Sequence, residues 1–545
     1  MKFNFSGNGL SGKDRLLQRF FEILPGATSW TVLIGMTTLA LTKPLYAAVI
    51  IIAFYFYWLL RLLYMTLFLI LSYFRLSMEK KTDWMARVRG LARMDEYLAE
   101  LKKSSPADRG QRLSHFIHRK EVERLKSSGA VVPKGEDIYQ LAIIPIAKES
   151  REVVEPGLRS LAEGTFPAER VVLILALEER ATEKIKQGAE ELLEKYGKQF
   201  FEMMIVVHPD GRVGEAKAKG ANTTFAARKA AEYFAEKNIL YSNVVSSCFD
   251  SDTVVTKEYF AALTYYYLIC PYREKASFQP VPVYNNNIWD APGITRVLET
   301  GSSFFQLIEA TNPEKLVTFS SHSMSFKALV EVDYWPVDMI SDDSAIFWKA
   351  FVHFDGKYRV VPMYTTLSMD AVVAGGFWQT VINVYKQKRR WAWGVENFPI
   401  VMRAFLANHK ISLPLKMKVG YKLFEGHIAW TTWAFLLTII GWLPALCAGR
   451  EFSHSVFYYS APRIAGTIFH LATFSLVTSI VLSLLLLPRK KEKHPIIKRI
   501  GFALQWLLVP VTIVFLSALP ALDAQTRLMF GKYMTFWVTD KGRKK

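Results

Sequence analysis

The sequence predicts an α/β domain built on a mostly parallel sheet and set between membrane-crossing helices. Three observations carry this expectation. Both ends of the 545-residue chain hold long apolar runs of the length a bilayer core requires. Between them, residues 139–400 alternate short β-branched runs with runs of helical period, the pattern of strands joined by crossover helices. The net charge is +19, and its clusters (Lys80, Lys81, Arg87 and Arg89; Arg489, Lys490, Lys491 and Lys493) flank the apolar runs. That placement points to the positive-inside rule and anionic lipid heads rather than to nucleic acid.

In chain order, residues 1–75 read as a transmembrane hairpin with spans at 26–43 and 45–74; Arg61 lies inside the second and either snorkels or faces other helices. A second span follows the first at once and no A-x-A-like site intervenes, so the first is not a cleavable signal. The basic flanks place the chain's starting side in the cytoplasm of a multi-pass protein of the cell membrane. Residues 76–138 are charged, with apolar residues at helical spacing (Trp84, Met85, Val88, Leu91, Met94, Tyr97, Leu98 and Leu101), as in an amphipathic, interfacial connector.

Within 139–400, strands are expected at 141–146, 171–177, 203–207 and 244–249. Helices are expected at 152–163, 181–196, 215–237 and 256–268. Residues 401–426 form a basic interfacial segment, and 427–522 a C-terminal transmembrane region with apolar runs at 427–447, 463–487 and 501–522. Pro510 and Pro520 interrupt the last run, which is expected to re-enter or lie at the interface. Residues 523–545 make an interfacial helix and a tail. Cys248, Cys270 and Cys447 give neither a disulfide framework nor a zinc spacing.

Three constellations carry chemistry. Asp250 and Asp252 follow the run Val244-Val245-Ser246-Ser247-Cys248-Phe249; two carboxylates one residue apart at the end of a buried strand offer hard oxygen ligands to a divalent cation, or form a solvated turn. In Ser341-Asp342-Asp343-Ser344, a carboxylate can serve as a general base, or the group can cap a helix. Both hold if Ser341 or Asp342 caps while Asp343 faces a cleft. In Gln387-Lys388-Arg389-Arg390-Trp391, a Trp face can stack on a sugar and an Arg can hold a diphosphate, or the cluster anchors a helix end at the membrane.

The order and spacing of these three resemble the inverting family 2 glycosyltransferases of GT-A fold, Rossmann-like α/β domains embedded between transmembrane helices in the cellulose synthase and hyaluronan synthase type. The resemblance covers residues 139–400, and the flanking spans more loosely. It implies that Asp250 and Asp252 bind a nucleotide-sugar diphosphate with Mg²⁺ or Mn²⁺. It makes Asp343, the last residue of Ser-Asp-Asp where the family has Thr-Glu-Asp, the catalytic base. Gln387, Arg390 and Trp391 match the acceptor- and diphosphate-binding motif. Lys219 and Asn222, in Lys-Gly-Ala-Asn, resemble the family's segment near the nucleotide, and Pro145 lies in its opening strand. Glu178 stands where the family carries the Asp that contacts uracil. Phe536, Val538, Thr539 and Lys541 resemble the Phe-x-Val-Thr-x-Lys gating loop of cellulose synthases, which closes over bound nucleotide.

The expected function is inverting transfer from a nucleotide-diphosphate sugar, a UDP-sugar by the resemblance, to a growing β-linked polysaccharide, with the catalytic domain cytoplasmic. A single transfer to a lipid acceptor and a degenerate, non-catalytic scaffold are the alternatives. The partners are thus the donor, a polysaccharide or lipid acceptor and membrane lipids, without nucleic acid.

Overall fold

The computed structural model describes residues 3–106, 108–447, 456–488 and 501–535. These fall into two compact units. One holds Leu71–Asn286 and Phe305–Asp370 with the short stretch to Ser6; the other holds Gly7–Ile70, Asn287–Phe304 and the described residues from Ala371 on.

The first unit is built on the sheet. β1 (Tyr139–Ile146), β2 (Val171–Glu178), β3 (Glu202–His208) and β4 (Val244–Cys248) run parallel in the order β3-β2-β1-β4. Every residue of β2 and β4 is buried, as in parallel strands covered on both faces. The crossover helices are Arg151–Ala162, Glu183–Tyr196 and Lys219–Glu236, and Tyr259–Ile269 follows β4. These elements match the expected ones to within a few residues.

Beyond β4 the sheet becomes mixed. β5 (Val254–Val255), β6 (Ala276–Val283), β7 (Ser323–Ser325) and β8 (Arg359–Ser368) complete the order β3-β2-β1-β4-β7-β6-β8-β5. β7 is antiparallel to both β4 and β6, β6 is parallel to β8, and β5 is antiparallel to β8. The sequence reading did not find these four strands. β5 and β7 are two and three residues long, and β6 carries Pro280 and Pro282, which normally count against a strand interior. The structure accommodates Pro280 at a register shift between Gln279 and Val281, where a ladder hydrogen bond is dispensable.

The expected interfacial connector folds as helices Trp84–Leu91, Met94–Lys103 and Arg109–Ser127. Part of its apolar stripe is buried against protein. Trp84, Val88 and Leu91 are buried, and the Trp84 ring lies 5.2 Å from Tyr265 and 5.3 Å from Tyr266. Beneath them Glu79 is fully buried, held by Arg75 at 3.0 Å, Arg87 at 3.4 Å and the Thr82 hydroxyl at 2.7 Å.

The second unit contains the membrane helices. Among the described residues, Gly12–Thr42, Pro44–Glu79, Pro462–Leu486 and Gly501–Met529 are long and apolar enough to cross a bilayer. A fifth candidate, Leu413–Thr438 with Ile440–Leu446, is bent by 44°. These mark a membrane protein. The sharp bend falls here rather than in 501–522, where Pro510 and Pro520 instead accompany a 3₁₀ turn at Gln505–Leu508 and a π turn at Val514–Ala518. Gly441 permits the bend: a Cβ there would meet Tyr55 Oη and the Leu436 carbonyl at 2.6 Å or less. Polar side chains tie the spans together, as expected in lipid. Ser29 Oγ lies 2.7 Å from Thr431 Oγ1 and donates to Gln525 Oε1 at 2.8 Å. Arg61 pairs with Glu425 and lies over the Trp433 ring, so it faces other helices.

Candidate active site

The site in the first unit is organised by one ammonium group. Lys219 opens the Lys219–Glu236 helix, and its Nζ donates to Asp250 Oδ1 at 2.8 Å and to Asp343 Oδ1 at 2.9 Å. Gly220, the next residue, allows this approach. A Cβ on it would stand 2.5 Å from the Pro336 carbonyl and 3.0 Å from Asp342 Cβ. Burial disfavours the Lys219 charge, but Asp250 and Asp343 outweigh it and raise the pKa well above the usual lysine value.

Asp250 and Asp252 lie just past the carboxyl end of β4, where open α/β sheets bind ligands. Asp250 also accepts from the Ser320 hydroxyl, and its own N–H donates to Ser321 Oγ at 3.1 Å. Its side chain is 27% exposed, whereas Asp252 is 1% exposed. Asp252 Oδ2 accepts the backbone N–H of Asp370 at 2.7 Å, and Asn286 Nδ2 reaches both the Asp252 carbonyl and Asp370 Oδ1 at 2.9 Å. Among the described residues no group of three or more His, Cys, Asp or Glu could hold a metal by itself. The paired carboxylates are nonetheless the hard oxygen donors that Mg²⁺ or Mn²⁺ takes together with phosphate oxygens and water.

Asp343 stands in the first turn of the helix Asp342–His353, with Ser341 at the N-cap position making no side-chain cap bond. Asp342 is buried and Asp343 is 27% exposed. Thr318 donates to the Asp343 carbonyl at 2.6 Å. His322 Nδ1 lies 3.7 Å from Asp343 Oδ1, and burial lowers the His322 pKa to about 4. Burial likewise pushes the Cys248 thiol up to about 12, so it is an inert core residue.

Of the residues that the resemblance places near a nucleotide, Pro145 and Glu178 lie toward the ends of β1 and β2, and Asn222 lies in the first turn of the Lys219–Glu236 helix. Pro145 is on β1 opposite Ala176 of β2. Glu178 ends β2, is buried, and pairs with Arg180. Asn222 is buried and donates to the Ala176 carbonyl at 2.7 Å.

Gln387, Arg390 and Trp391 lie in the second unit, on the helix Phe377–Ala392. Gln387 is buried, and its Oε1 has no hydrogen-bond partner among the described residues. Lys388 Nζ sits 3.6 Å from the centre of the Trp391 ring, covering that face, and donates to Glu299 at 2.9 Å and Ser302 at 3.0 Å. Burial lowers the Lys388 pKa against the pull of Glu299. Arg389 pairs with Asp523 at 2.8 Å. Phe536, Val538, Thr539 and Lys541, the residues expected from the resemblance to form a gating loop, lie outside the described residues.

Sequence reading missed Ser320, His322, Asp370 and Glu299. Each meets its partner across at least 21 residues of chain, and none stands in a motif.

The description "Glycosyl transferase family group 2" matches residues 247–519, half of the chain. The poly-beta-1,6-N-acetyl-D-glucosamine synthase of Staphylococcus epidermidis is 29% identical over 142 residues, 25% of this chain and 31% of that protein. The chain therefore spans under a third of the length of this curated relative. Among solved structures, the mannosyltransferase PcManGT from Pyrobaculum calidifontis in complex with GDP-Man and Mn²⁺ is 15% identical, with coverage of 65% of this chain and 93% of that one and a TM-score of 0.41. TarS 1–349 of S. aureus in complex with UDP-GlcNAc is 12% identical, with coverage of 62% and 90% and a TM-score of 0.30. The family match takes in the paired aspartates after β4, Asp343 and the 387–391 segment in one stretch, and the chain belongs to glycosyl transferase family group 2 as a glycosyltransferase with a mixed α/β sheet and helices long and apolar enough to span a membrane.

Proposed function

We propose that the protein transfers a sugar, with inversion, from a nucleotide-diphosphate sugar to a growing β-linked polysaccharide on the cytoplasmic side of the membrane. The observation that carries this reading is the Lys219 bridge, which brings the diphosphate-side Asp250 and the base Asp343 to one ammonium. Asp343 takes the proton of an acceptor hydroxyl. The acceptor oxygen forms a bond to the anomeric carbon, and the bond from that carbon to the diphosphate oxygen breaks with its electron pair on the leaving nucleoside diphosphate. Lys219 offers that leaving group a buried positive charge. Asp250 and Asp252 would hold Mg²⁺ or Mn²⁺, which when bound neutralises charge on the diphosphate.

Pro145, Asn222 and Glu178 border the nucleotide. Glu178 in the place of the family's Asp keeps a carboxylate to accept a base N–H, in keeping with a UDP-sugar. Gln387, Arg390 and Trp391 serve the acceptor and the diphosphate. The tail residues Phe536, Val538, Thr539 and Lys541 close over bound nucleotide. The similarity to a poly-beta-1,6-N-acetyl-D-glucosamine synthase supports a polysaccharide acceptor.

The test is to incubate membranes bearing the protein with a panel of nucleotide sugars and to size the product. A ladder of oligomers supports the reading. A single glycolipid replaces the polysaccharide with a lipid acceptor. Neither transfer nor donor hydrolysis with any donor removes the catalytic reading altogether.

A further inference from the structure

Asp343 is held through one carboxylate oxygen. Oδ1 receives Lys219 Nζ at 2.9 Å and faces His322 Nδ1 at 3.7 Å. Among the described residues Oδ2 has no hydrogen-bond partner, and the side chain is 27% exposed. His322 is fully buried at the entrance to β7, and its neighbours settle its tautomer. The Trp335 indole, which can only donate, donates to His322 Nε2 at 3.4 Å. Nε2 is therefore the acceptor and the ring proton sits on Nδ1. From there it donates to the Phe319 carbonyl at 3.1 Å, with Asp343 Oδ1 just beyond. Burial keeps the ring neutral although Asp343 and Asp250 favour its cation, and Lys219 opposes that cation. A second cation at this place would work against proton uptake by the carboxylate; a neutral N–H restricts the carboxylate without doing so.

We propose that His322 is a positioning residue of the transfer reaction: its bond to the Phe319 carbonyl fixes the ring against the Oδ1 of Asp343 that Lys219 holds, so that Oδ2 meets the acceptor hydroxyl. The inference rests on Asp343 being the base. His322 acts through Asp343 and touches neither donor nor acceptor. The charged groups that face it are Lys219 on the Lys219–Glu236 helix, Asp250 just past β4, and Asp343 on the Asp342–His353 helix.

The test uses three replacements in the full chain. His322→Asn keeps a side-chain N–H near the Nδ1 position, His322→Gln keeps a polar group near Nε2, and His322→Leu keeps neither. At saturating donor and acceptor, kcat is expected to fall about tenfold in the Leu and Gln variants and to stay within about threefold of the parent in Asn, the difference one directed hydrogen bond makes. Nucleoside diphosphate binding should stay within about threefold in all three. The inference is overturned if Leu and Gln retain full kcat, or if Asn is as impaired as Leu. Should the Leu variant not fold, Trp335→Phe releases Nε2 while keeping an aromatic body; unchanged kcat in that variant would also overturn the inference. Asp343→Asn in the same assay separates the two claims: retained turnover there removes the base reading itself, whatever the His322 variants do.

Discussion

Replacing Lys219 by methionine keeps the unbranched stem of the side chain and removes the charge that Asp250 and Asp343 share. The two Oδ1 atoms that Nζ holds at 2.8 and 2.9 Å then face each other with no cation between them. At about 6 Å and an effective dielectric of about 20, two carboxylates repel by about 3 kcal/mol. That agrees with the lower end of the roughly 3–5 kcal/mol lost when one member of a buried ion pair is removed. Both aspartates are 27% exposed, and the lower end suits that partial solvation. At about 2 °C per kcal/mol for a unit of this size, the thermal midpoint falls by about 6 °C. A divalent cation at Asp250 supplies the missing positive charge, so Mn²⁺ should recover more of the midpoint in the variant than it adds to the parent. Thermal unfolding of the detergent-purified protein, with and without Mn²⁺, reads both effects. A variant midpoint within about 1 °C of the parent refutes the electrostatic argument. A large drop that Mn²⁺ does not recover removes Asp250 from the cation site.

Asp343→Asn preserves shape and loses only proton acceptance, so turnover should fall by about a hundredfold or more while nucleoside diphosphate binds as before; equilibrium binding beside single-turnover rates checks this. Asp252→Ala removes a carboxylate that also accepts the Asp370 N–H, and the gain in nucleoside diphosphate affinity on adding Mn²⁺ should shrink; an unchanged gain counts against the assignment. Glu299→Gln removes the carboxylate that faces the buried Lys388 ammonium and should destabilise the protein by about 3 kcal/mol. The double variant Glu299→Leu with Lys388→Met should recover most of that loss, as read by the thermal midpoint.

The parts of the fold that the sequence made legible are those specified locally. β2 is a nearly continuous apolar run, and β1 and β4 are apolar over most or part of their length, because a parallel strand is buried on both faces, and that composition is visible without knowing its neighbours. The paired aspartates after β4 are legible for the same reason, since the end of such a strand is where a ligand sits. Lys388 and Trp391 are three residues apart on one helix face, a contact that helical period alone allows.

What tertiary structure decided is every relation that depends on who the neighbour is. The stripe through Trp84, Val88 and Leu91 shows that a helix has an apolar face; only Tyr265 and Tyr266 make that face a protein interface rather than a lipid one. The two prolines in β6 conceal a strand that the register shift at Gln279 and Val281 makes possible. Pro510 and Pro520 draw attention to the last apolar run, yet the 44° bend lies at 438–440, because Gly441 lets the backbone close on Tyr55. His322 carries no signal in the chain, for a lone histidine between serines is unremarkable until Trp335 fixes its tautomer and Asp343 comes within 3.7 Å. The Lys219 bridge spans 31 residues to Asp250 and 124 to Asp343. A motif identifies such a lysine as chemistry-bearing, but one Nζ reaches two distant carboxylates only after β4, the Lys219–Glu236 helix and the Asp342–His353 helix have packed. Composition and period act along the chain, whereas charge pairing acts through space, and the first specifies the elements while the second assembles the site.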